Sequence, residues 1–288
     1  PGSLLLGLEM AQRRLPNDYT HKRQLLESQL GEIETLILGS SHSYLALDPG
    51  QFEEKTFNLA STAQTLYFDQ YLLDRYIDQM PKLRRVIVPV SYSSLAAESD
   101  RLPDDFNKSY YFAHFYDSEA FTNPFSFKKY SLTALWGIKA SVDRSFAYAF
   151  RGDSLVECRR NGWYATEEQR DLLKNGRESG RFQDRFYDER LFSQNLGYIE
   201  QMIRRCREKQ VAIYLISTPM WKTFMANTQP GRYAKMVYLT DSLAHAQGVP
   251  YWNFSTDERF GEEDFFDSNH LRTQGAVKFS RILTGRMK

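Results

Sequence analysis

The sequence predicts an α/β protein: a three-layer α/β/α sandwich with a mainly parallel sheet and a large, mostly helical, aromatic-rich insertion. Short apolar runs that end in turn residues are typical of buried strands, as in Leu36-Ile37-Leu38 before Gly39. Helical segments alternate with these runs, which indicates a parallel sheet covered by helices on both faces. The alternation stops between 96 and 190, where Tyr and Phe are abundant.

The N-terminal part of the chain already shows this alternation. The predicted elements are a helix over 4–30 with a break at Asn17-Asp18, strands over 34–39 and 56–60, a helix over 65–80 and a strand over 85–90. Pro81 ends the second helix because proline lacks the amide hydrogen that a helix interior needs. Each strand runs into a polar, hydroxyl-rich segment, and open α/β sheets bind their ligands at these carboxyl ends.

The segment 96–190 has no regular period, and we predict that it is an insertion within a single domain spanning 1–288. A structureless loop of this length is uncommon in a compact domain, so we expect the insertion to be mainly helical. Residues 126–150 are its best helix candidate. Because the insertion follows a central strand, we expect it to cap the carboxyl end of the sheet.

Regular alternation returns after residue 190. The predicted elements are a helix over 191–209, a strand over 211–216, a helix over 231–247, an edge strand over 249–254 and a closing helix from about 273. Gly248 fits the glycine that ends many helices. Pro250 favours an edge position because it cannot donate to a sheet ladder.

Composition and absent motifs exclude several classes of function. The formal net charge is +1, which gives no reason to expect a nucleic-acid partner. The chain lacks the glycine-rich phosphate-binding patterns and the spaced His and Cys patterns of zinc sites. We therefore predict no metal and no cofactor. Cys158 and Cys206 form no disulfide framework, so we expect both to be free, and the oligomeric state is left open.

The apolar stretch Leu4–Leu8 is shorter than the roughly 20 residues that cross a membrane. It is either the remainder of a removed signal or anchor segment, or the beginning of an ordinary helix. The first alternative implies a membrane tether upstream of residue 1.

The five histidines are the first candidates for a general base. His270 stands out because Asp267 precedes it by three residues in a turn, so both side chains can lie on one side. A carboxylate that holds one ring nitrogen fixes the tautomer, and the other nitrogen then accepts a proton from a serine. Such a pair needs only a hydroxyl placed opposite.

Ser41 is the candidate for that hydroxyl because it follows the first buried strand. A tight turn there exposes the side chain, and the amides of the turn stabilise an oxyanion. The alternative is that Ser40, Ser41 and Ser43 cap a helix. His42 is a poor base for Ser41 because neighbouring side chains diverge, so we expect it to pack or to face substrate.

Together, these two motifs resemble the SGNH (GDSL-like) hydrolase superfamily. Gly39-Ser40-Ser41-His42 stands where that family has Gly-Asp-Ser-Leu. Asp267-Ser-Asn-His270, followed by Gly275-Ala276, is similar to the end of the family pattern. The Gly-Ser-Ser version also resembles the branch that contains the D-alanyl-transfer protein of teichoic acid synthesis and polysaccharide O-acetyltransferases.

The resemblance covers 34–95 and 191–285 and leaves the insertion outside it. It implies a flavodoxin-like sandwich in which Ser41 is the nucleophile and His270 is the general base. Asp267 is then the residue that orients the base.

The resemblance also implies an oxyanion hole, where this chain departs from the family pattern. The family's second block supplies a glycine amide, and here Ala60 or Ser61 stands in that place. The third block supplies an asparagine side chain, and here the strand runs into Ser91 and Tyr92. Either of these side chains donates instead, or the role is empty. A lost oxyanion donor lowers turnover by roughly 100- to 1,000-fold.

These expectations predict a serine-dependent acyl-transfer enzyme, an esterase or an O-acyltransferase, that forms an acyl-Ser41 intermediate. The branch resemblance and the aromatic insertion favour an acylated carbohydrate or cell-envelope polymer as its substrate. The alternative is a catalytically inactive protein of the same fold that binds a glycan or serves as a scaffold. Association with the branch predicts an extracytoplasmic location, periplasmic or in the cell envelope, with the cytoplasm as the alternative.

Overall fold

The computed structural model describes residues 2–288, and Pro1 of the predicted domain range lies outside it. The strands are β1 (Thr35–Ile37), β2 (Thr56–Asn58), β3 (Arg85–Pro89), β4 (Ala212–Ser217), β5 (Tyr251–Asn253), β6 (Phe265–Asp267) and β7 (His270–Leu271). The α-helices are α1 (Gly2–Arg14), α2 (Asp18–Glu27), α3 (Ser41–Ala46), α4 (Leu66–Tyr76), α5 (Ser109–Tyr116), α6 (Leu132–Trp136), α7 (Ile138–Arg151), α8 (Leu172–Arg185), α9 (Phe192–Glu208), α10 (Lys222–Met225), α11 (Pro230–Gln247) and α12 (Thr273–Arg286).

Strands β1 to β5 form one sheet in the order β2-β1-β3-β4-β5, and every neighbouring pair is parallel. This is the order of flavodoxin-like sheets. Leu36 of β1 pairs with Phe57 on one side and Val86 on the other, so β1 lies inside the sheet. The predicted strands are all present. β4 has the predicted length but begins and ends one residue later, the other four are somewhat shorter, and β5 lies at the edge as Pro250 indicated. The separate pair β6-β7 is antiparallel.

The two faces of the sheet carry separate apolar cores because successive side chains of a strand point to opposite faces. Leu36 and Leu38 lie in one core, against which α4, α9 and α11 pack. Ile37, between them, lies in the other core, with Phe279 of α12 and Ala46 of α3. The predicted three-layer sandwich is therefore confirmed.

The predicted helix over 126–150 is wrong as a single element. It is divided into a short 3₁₀ turn, α6 and α7, because Gly137 adopts a φ of +84° between the two helices. A backbone in this region cannot continue a right-handed helix. The insertion as a whole is mainly helical, as predicted.

The insertion occupies more of the molecule than the predicted cap. Its helix α5 packs in the first core, where the rings of Phe112 and Phe68 stack with centroids 3.8 Å apart. Helices α6 and α7 pack against α1, where Gln12 Nε2 donates to the Ser141 carbonyl at 3.0 Å. Three parts of the insertion reach the carboxyl end of the sheet: α8, the loop before α5, and the segment between α7 and α8, whose Asn161 carbonyl accepts from the Asn58 amide at 2.9 Å.

The N-terminal stretch Leu4–Leu8 lies within α1. Within residues 2–288, no helix has both the length and the hydropathy that a membrane crossing requires. Cys158 and Cys206 are both free and buried, in agreement with the expectation from their number.

Candidate active site

The turn after β1 is built around Gly39, which has a φ of +111°. A Cβ atom at this position would lie 2.6 Å from Ser43 Oγ and 2.8 Å from Pro89, so only glycine fits. The Gly39 amide donates to Asp69 Oδ1 at 2.7 Å. The turn is thus held from two sides, and it delivers the chain directly into α3.

The three serines of the turn have different positions and partners. Ser40 is the N-cap of α3, and Ser43 is buried and donates to the Leu38 carbonyl at 2.7 Å. Ser41 Oγ instead lies 2.8 Å from His270 Nε2. The capping alternative therefore describes Ser40, whereas Ser41 is the serine that faces the histidine.

The turn between β6 and β7 holds Asp267 and His270 together. His270 Nδ1 lies 2.8 Å and 3.0 Å from the two carboxylate oxygens of Asp267, and the Asn269 amide donates to the same carboxylate at 3.0 Å. Burial works to raise the pKa of Asp267, but the His270 ring and these hydrogen bonds hold it below its usual value. The carboxylate therefore stays charged and accepts from Nδ1–H, which leaves Nε2 free to accept from Ser41.

His42 is a second imidazole at the site. Its ring stacks on that of His270 with centroids 5.1 Å apart, and it accepts from Asn269 Nδ2 at 3.1 Å. Its other nitrogen lies 3.0 Å from Ser40 Oγ. Burial first, and the His270 ring second, lower the pKa of His42 to about 3. His42 is therefore a neutral ring packed on His270 within the cavity wall, and it is not within reach as a base for Ser41.

The predicted oxyanion amides of Ala60 and Ser61 are already engaged. The Ala60 amide donates to Asn58 Oδ1 at 3.1 Å, and the Ser61 amide donates to the Gly39 carbonyl at 3.1 Å. These bonds tie the end of β2 to the turn after β1. An amide with an internal acceptor is not available to a substrate, so the assignment of an oxyanion amide to Ala60 or Ser61 is corrected.

The prediction for Tyr92 is also corrected. Its hydroxyl donates to Asp184 and accepts from the Gln229 amide, and its ring packs against Phe224 outside the cavity. Ser91 does line the cavity, and its Oγ lies 2.9 Å from Ser94 Oγ. Of the two side chains predicted for the third strand, only Ser91 is placed where a substrate can reach it.

Three other amides at the cavity are unengaged. The N–H groups of Ser41, Thr62 and Ala63 have no acceptor within residues 2–288, and all three residues line the cavity. Ala63 adopts a φ of +55°, which is uncommon for a residue with a side chain and turns the backbone at this point. These are the amides that can donate to an oxyanion. Thr62 and Ala63 lie one and two positions after Ser61, the later of the two residues that the sequence indicated.

A cavity of about 470 Å³ opens next to the serine–histidine pair. Ser41, Asp267 and His270 line it at one end. Helix α8 of the insertion forms one wall, and the loop before α5 contributes Leu102 and Phe106. The size is that of a cavity that encloses a small organic ligand.

Asp69 was not expected from the sequence. Its carboxyl is 2% exposed, accepts from the Gly39 amide and from Gln64 Nε2 at 2.6 Å, and lines the cavity. Burial outweighs these bonds and raises the pKa of Asp69 to about 7. A signal was available: Asp69 lies three residues after Leu66 and three before Leu72, on the apolar face of α4.

Among residues 2–288, no group of three or more His, Cys, Asp or Glu side chains is placed to hold a metal ion.

No protein-family profile matches the chain, and no curated protein sequence matches it. Solved structures do match in fold. A proposed acylhydrolase of Bacteroides fragilis is 10% identical with a TM-score of 0.45, and the match covers 92% of this chain and 93% of that chain. A proposed platelet activating factor of Streptococcus pneumonia is 11% identical with a TM-score of 0.47, and the match covers 100% and 96%.

A GDSL-like lipase of Bacteroides thetaiotaomicron is also similar, at 10% identity and a TM-score of 0.44, with 93% of this chain and 98% of that chain covered. At this identity no residue role transfers from one chain to another. The chemistry of the site therefore has to be argued from its own geometry.

Proposed function

We propose that this chain is a serine-dependent acyl-transfer enzyme of the SGNH type, an esterase or an O-acyltransferase. The observation that carries the proposal is the continuous series of hydrogen bonds from Asp267 through His270 to Ser41 Oγ, open to a cavity at its serine end. A carboxylate, an imidazole and a hydroxyl in this order are the parts of a nucleophilic serine site.

The geometry assigns each group a step. His270 Nε2 takes the proton of Ser41 as Oγ attacks the ester carbonyl carbon, and the carbonyl oxygen becomes an oxyanion. The amides of Ser41, Thr62 and Ala63 are available to stabilise that charge. When the intermediate collapses, the bond to the alcohol oxygen breaks and His270 returns the proton to the alcohol, which leaves acyl-Ser41.

The second half of the reaction decides between hydrolysis and transfer. His270 removes a proton from water or from an acceptor hydroxyl, which attacks the acyl-Ser41 carbonyl and releases the serine. Throughout both halves the Asp267 carboxylate holds the Nδ1–H and stabilises the charged ring.

We propose an acylated carbohydrate or another hydroxyl-bearing polymer of the cell envelope as the substrate, with no nucleic-acid partner. The polar side chains of Arg170, Asn175 and Glu178 at the cavity next to His270 suit an alcohol with several hydroxyl groups. The same proposal implies an extracytoplasmic location, and the Gly-Ser-Ser motif supports it by resemblance.

A catalytically inactive glycan-binding or scaffold protein is the second candidate. One observation favours it: the Ala60 and Ser61 amides are engaged internally, and β3 runs into Ser91 rather than an asparagine. On this alternative the cavity binds a ligand without turnover.

A fluorophosphonate probe separates the two candidates because it reacts covalently with an activated serine. We expect labelling of the unaltered chain, loss of labelling in Ser41→Ala and a large reduction in His270→Ala. Ser93→Ala is the matched control, since Ser93 also lines the cavity but bonds Gln183. Absence of labelling at high probe concentration favours the inactive alternative, and equal labelling of Ser41→Ala contradicts the assigned nucleophile.

A further inference from the structure

The active-site cavity has two chemically different sides. The position of His270 indicates which side holds the alcohol part of an ester and which side holds the acyl part. His270 returns a proton to the leaving alcohol, so the alcohol must lie on its side. Asn175 Oδ1 accepts from the Ser268 amide at 3.0 Å, and Arg170 stacks on the Phe266 ring at 4.6 Å. These two polar side chains are therefore fixed to β6 and to the turn that precedes His270.

Farther along α8, away from that turn, Phe182 lines the cavity together with the polar side chains of Ser179 and Gln183. Asn175 and Phe182 both line it and are seven residues apart, which is about 10 Å along a helix. Phe182 meets Phe106 of the insertion with ring centroids 4.6 Å apart. Leu66 and Leu102 also line the cavity. The insertion thus provides an aromatic wall on the side opposite the alcohol.

We propose that the Phe106–Phe182 wall binds the acyl group of the substrate, and that this group is apolar and larger than acetyl. The inference rests on the proposed function. An acetyl group would leave most of a cavity of about 470 Å³ unfilled. A longer acyl chain instead buries apolar surface against Leu66, Leu102 and the two rings.

The experiment compares p-nitrophenyl acetate, butyrate and hexanoate, which share one alcohol. Each additional buried methylene raises kcat/KM by about fourfold. We therefore expect hexanoate to exceed acetate by more than tenfold with the unaltered chain. Phe182→Ala and Phe106→Ala lower the hexanoate-to-acetate ratio, whereas Leu173→Ala, an exposed residue on the same helix, leaves it unchanged.

The outcomes separate this inference from the proposed function. Fluorophosphonate labelling of Ser41 with acetate as the fastest ester overturns the acyl-side inference and leaves the acyl-transfer proposal standing. Absence of both labelling and ester turnover overturns both. The ester series with the unaltered chain needs no variant, so the test survives if Phe182→Ala fails to fold.

A second and independent observation concerns exposed apolar side chains. Of the fifteen large hydrophobic residues that are exposed within residues 2–288, twelve lie in the two segments 2–14 and 125–151. These segments pack on each other, because α1 contacts both α6 and α7. Scattered exposed apolar residues are ordinary in proteins, but such a concentration marks an interaction surface.

Helix α7 carries the clearest part of this surface. Ile138, Val142, Phe146 and Phe150 follow each other at intervals of four and lie on one face of the helix, which we call the α7 face. Phe146 is 60% exposed and Phe150 is 79% exposed, and their rings stack on each other with centroids 5.4 Å apart.

The charge around this surface indicates which kind of partner it binds. The segments 2–14 and 125–151 contain seven Lys and Arg and two acidic residues, a net charge of +5. Three of these basic residues, Lys128, Lys129 and Arg151, form ion pairs with Asp104, Glu119 and Asp153 outside the segments, which leaves a net charge of +2. Phe and Leu on one helix face with basic residues around it are the pattern of helices that lie in the interface of a membrane. Basic residues add attraction to anionic lipids.

We propose that the α7 face binds the surface of an anionic lipid bilayer, with Phe146 and Phe150 inserted at the headgroup boundary. The test is flotation with vesicles of phosphatidylcholine and phosphatidylglycerol, and with vesicles of phosphatidylcholine alone. We expect binding to the anionic vesicles that weakens in high salt and exceeds binding to the neutral ones. The double variant Phe146→Ser/Phe150→Ser should reduce binding by tenfold or more.

Tyr238→Ser is the matched control, since Tyr238 is 70% exposed on α11. Both altered phenylalanines are exposed, so the double variant should keep the melting temperature of the unaltered chain. Equal flotation of the double variant, or no flotation on anionic vesicles, overturns the proposal. Self-association that the double variant abolishes also overturns it, because the α7 face would then be an interface between two copies.

Discussion

Replacing Asp69 by Asn should make the protein more stable at neutral and basic pH. Burial raises the pKa of this carboxyl from its ordinary value of 3.8 to about 7. A pKa difference of one unit between the folded and the unfolded chain corresponds to about 1.4 kcal/mol. The folded state therefore loses about 4 kcal/mol of stability by the time the carboxyl is ionised. The stability is fully present below about pH 4 and is lost as the pH rises to about 7.

The asparagine variant removes this loss without removing the hydrogen bonds. Both the Gly39 amide and Gln64 Nε2 donate to one oxygen, Oδ1, which an asparagine also provides. The free energy of unfolding, measured by urea denaturation, should therefore favour Asp69→Asn increasingly with pH. Between about pH 5 and pH 8, the advantage of the variant should grow by about 2.5 kcal/mol.

The control for this experiment is the same Asp-to-Asn change at Asp241, an exposed residue on α11. Titrations that both proteins share cancel in the comparison. The reasoning is refuted if the stability advantage of Asp69→Asn changes by less than about 0.5 kcal/mol between pH 5 and pH 8. The Asp69 carboxyl would then have the same pKa in the folded and the unfolded chain.

Three further predictions concern the site and its support. Asp267→Asn should lower ester turnover by about 10⁴-fold with little change in stability, since serine hydrolases lose about that much when the orienting carboxylate is replaced. His42→Phe should keep the stacked ring but lower kcat, because Asn269 loses its acceptor; an unchanged kcat would contradict this. Gly162→Ala should lower the free energy of unfolding, measured by urea denaturation, by at least about 2 kcal/mol more than Gly137→Ala does. Both glycines have similar positive φ angles, but only at Gly162 would a Cβ atom meet a carbonyl oxygen, that of Asn58 at 2.0 Å.

The sequence predicted the sheet well because its strands carry their own signals. The runs that became β1, β3 and β4 are apolar and end in polar turns, and this local pattern does not depend on distant contacts. The helix over 126–150 was predicted as one element because composition does not reveal that Gly137 adopts a positive φ.

The contacts among Ser41, His270 and Asp267 were also within reach of the sequence. Asp267 and His270 are three residues apart, so their contact is local, and only one long-range pairing, with Ser41, had to be inferred. The fixed position of a strand end in a parallel sheet made that inference possible.

The sequence could not predict which backbone amides are available to an oxyanion. Whether the amide of Ala60, Ser61, Thr62 or Ala63 is free depends on which carbonyl or side chain lies opposite, and every residue brings an identical amide. The prediction for Tyr92 was wrong for a related reason. Tyr92 follows β3, as predicted, but its hydroxyl donates to Asp184 of a distant helix.

The sequence by itself therefore determined the order of strands and helices, the turn that presents Ser41 and the Asp267–His270 pair. Tertiary structure alone decided which amides remain unengaged, that the Asp69 carboxyl accepts from the Gly39 amide, and that α8 lines the cavity. The physical reason is the range of the interactions. Periodicity and turn chemistry act within a few residues, whereas burial and hydrogen-bond competition depend on segments far apart in the chain.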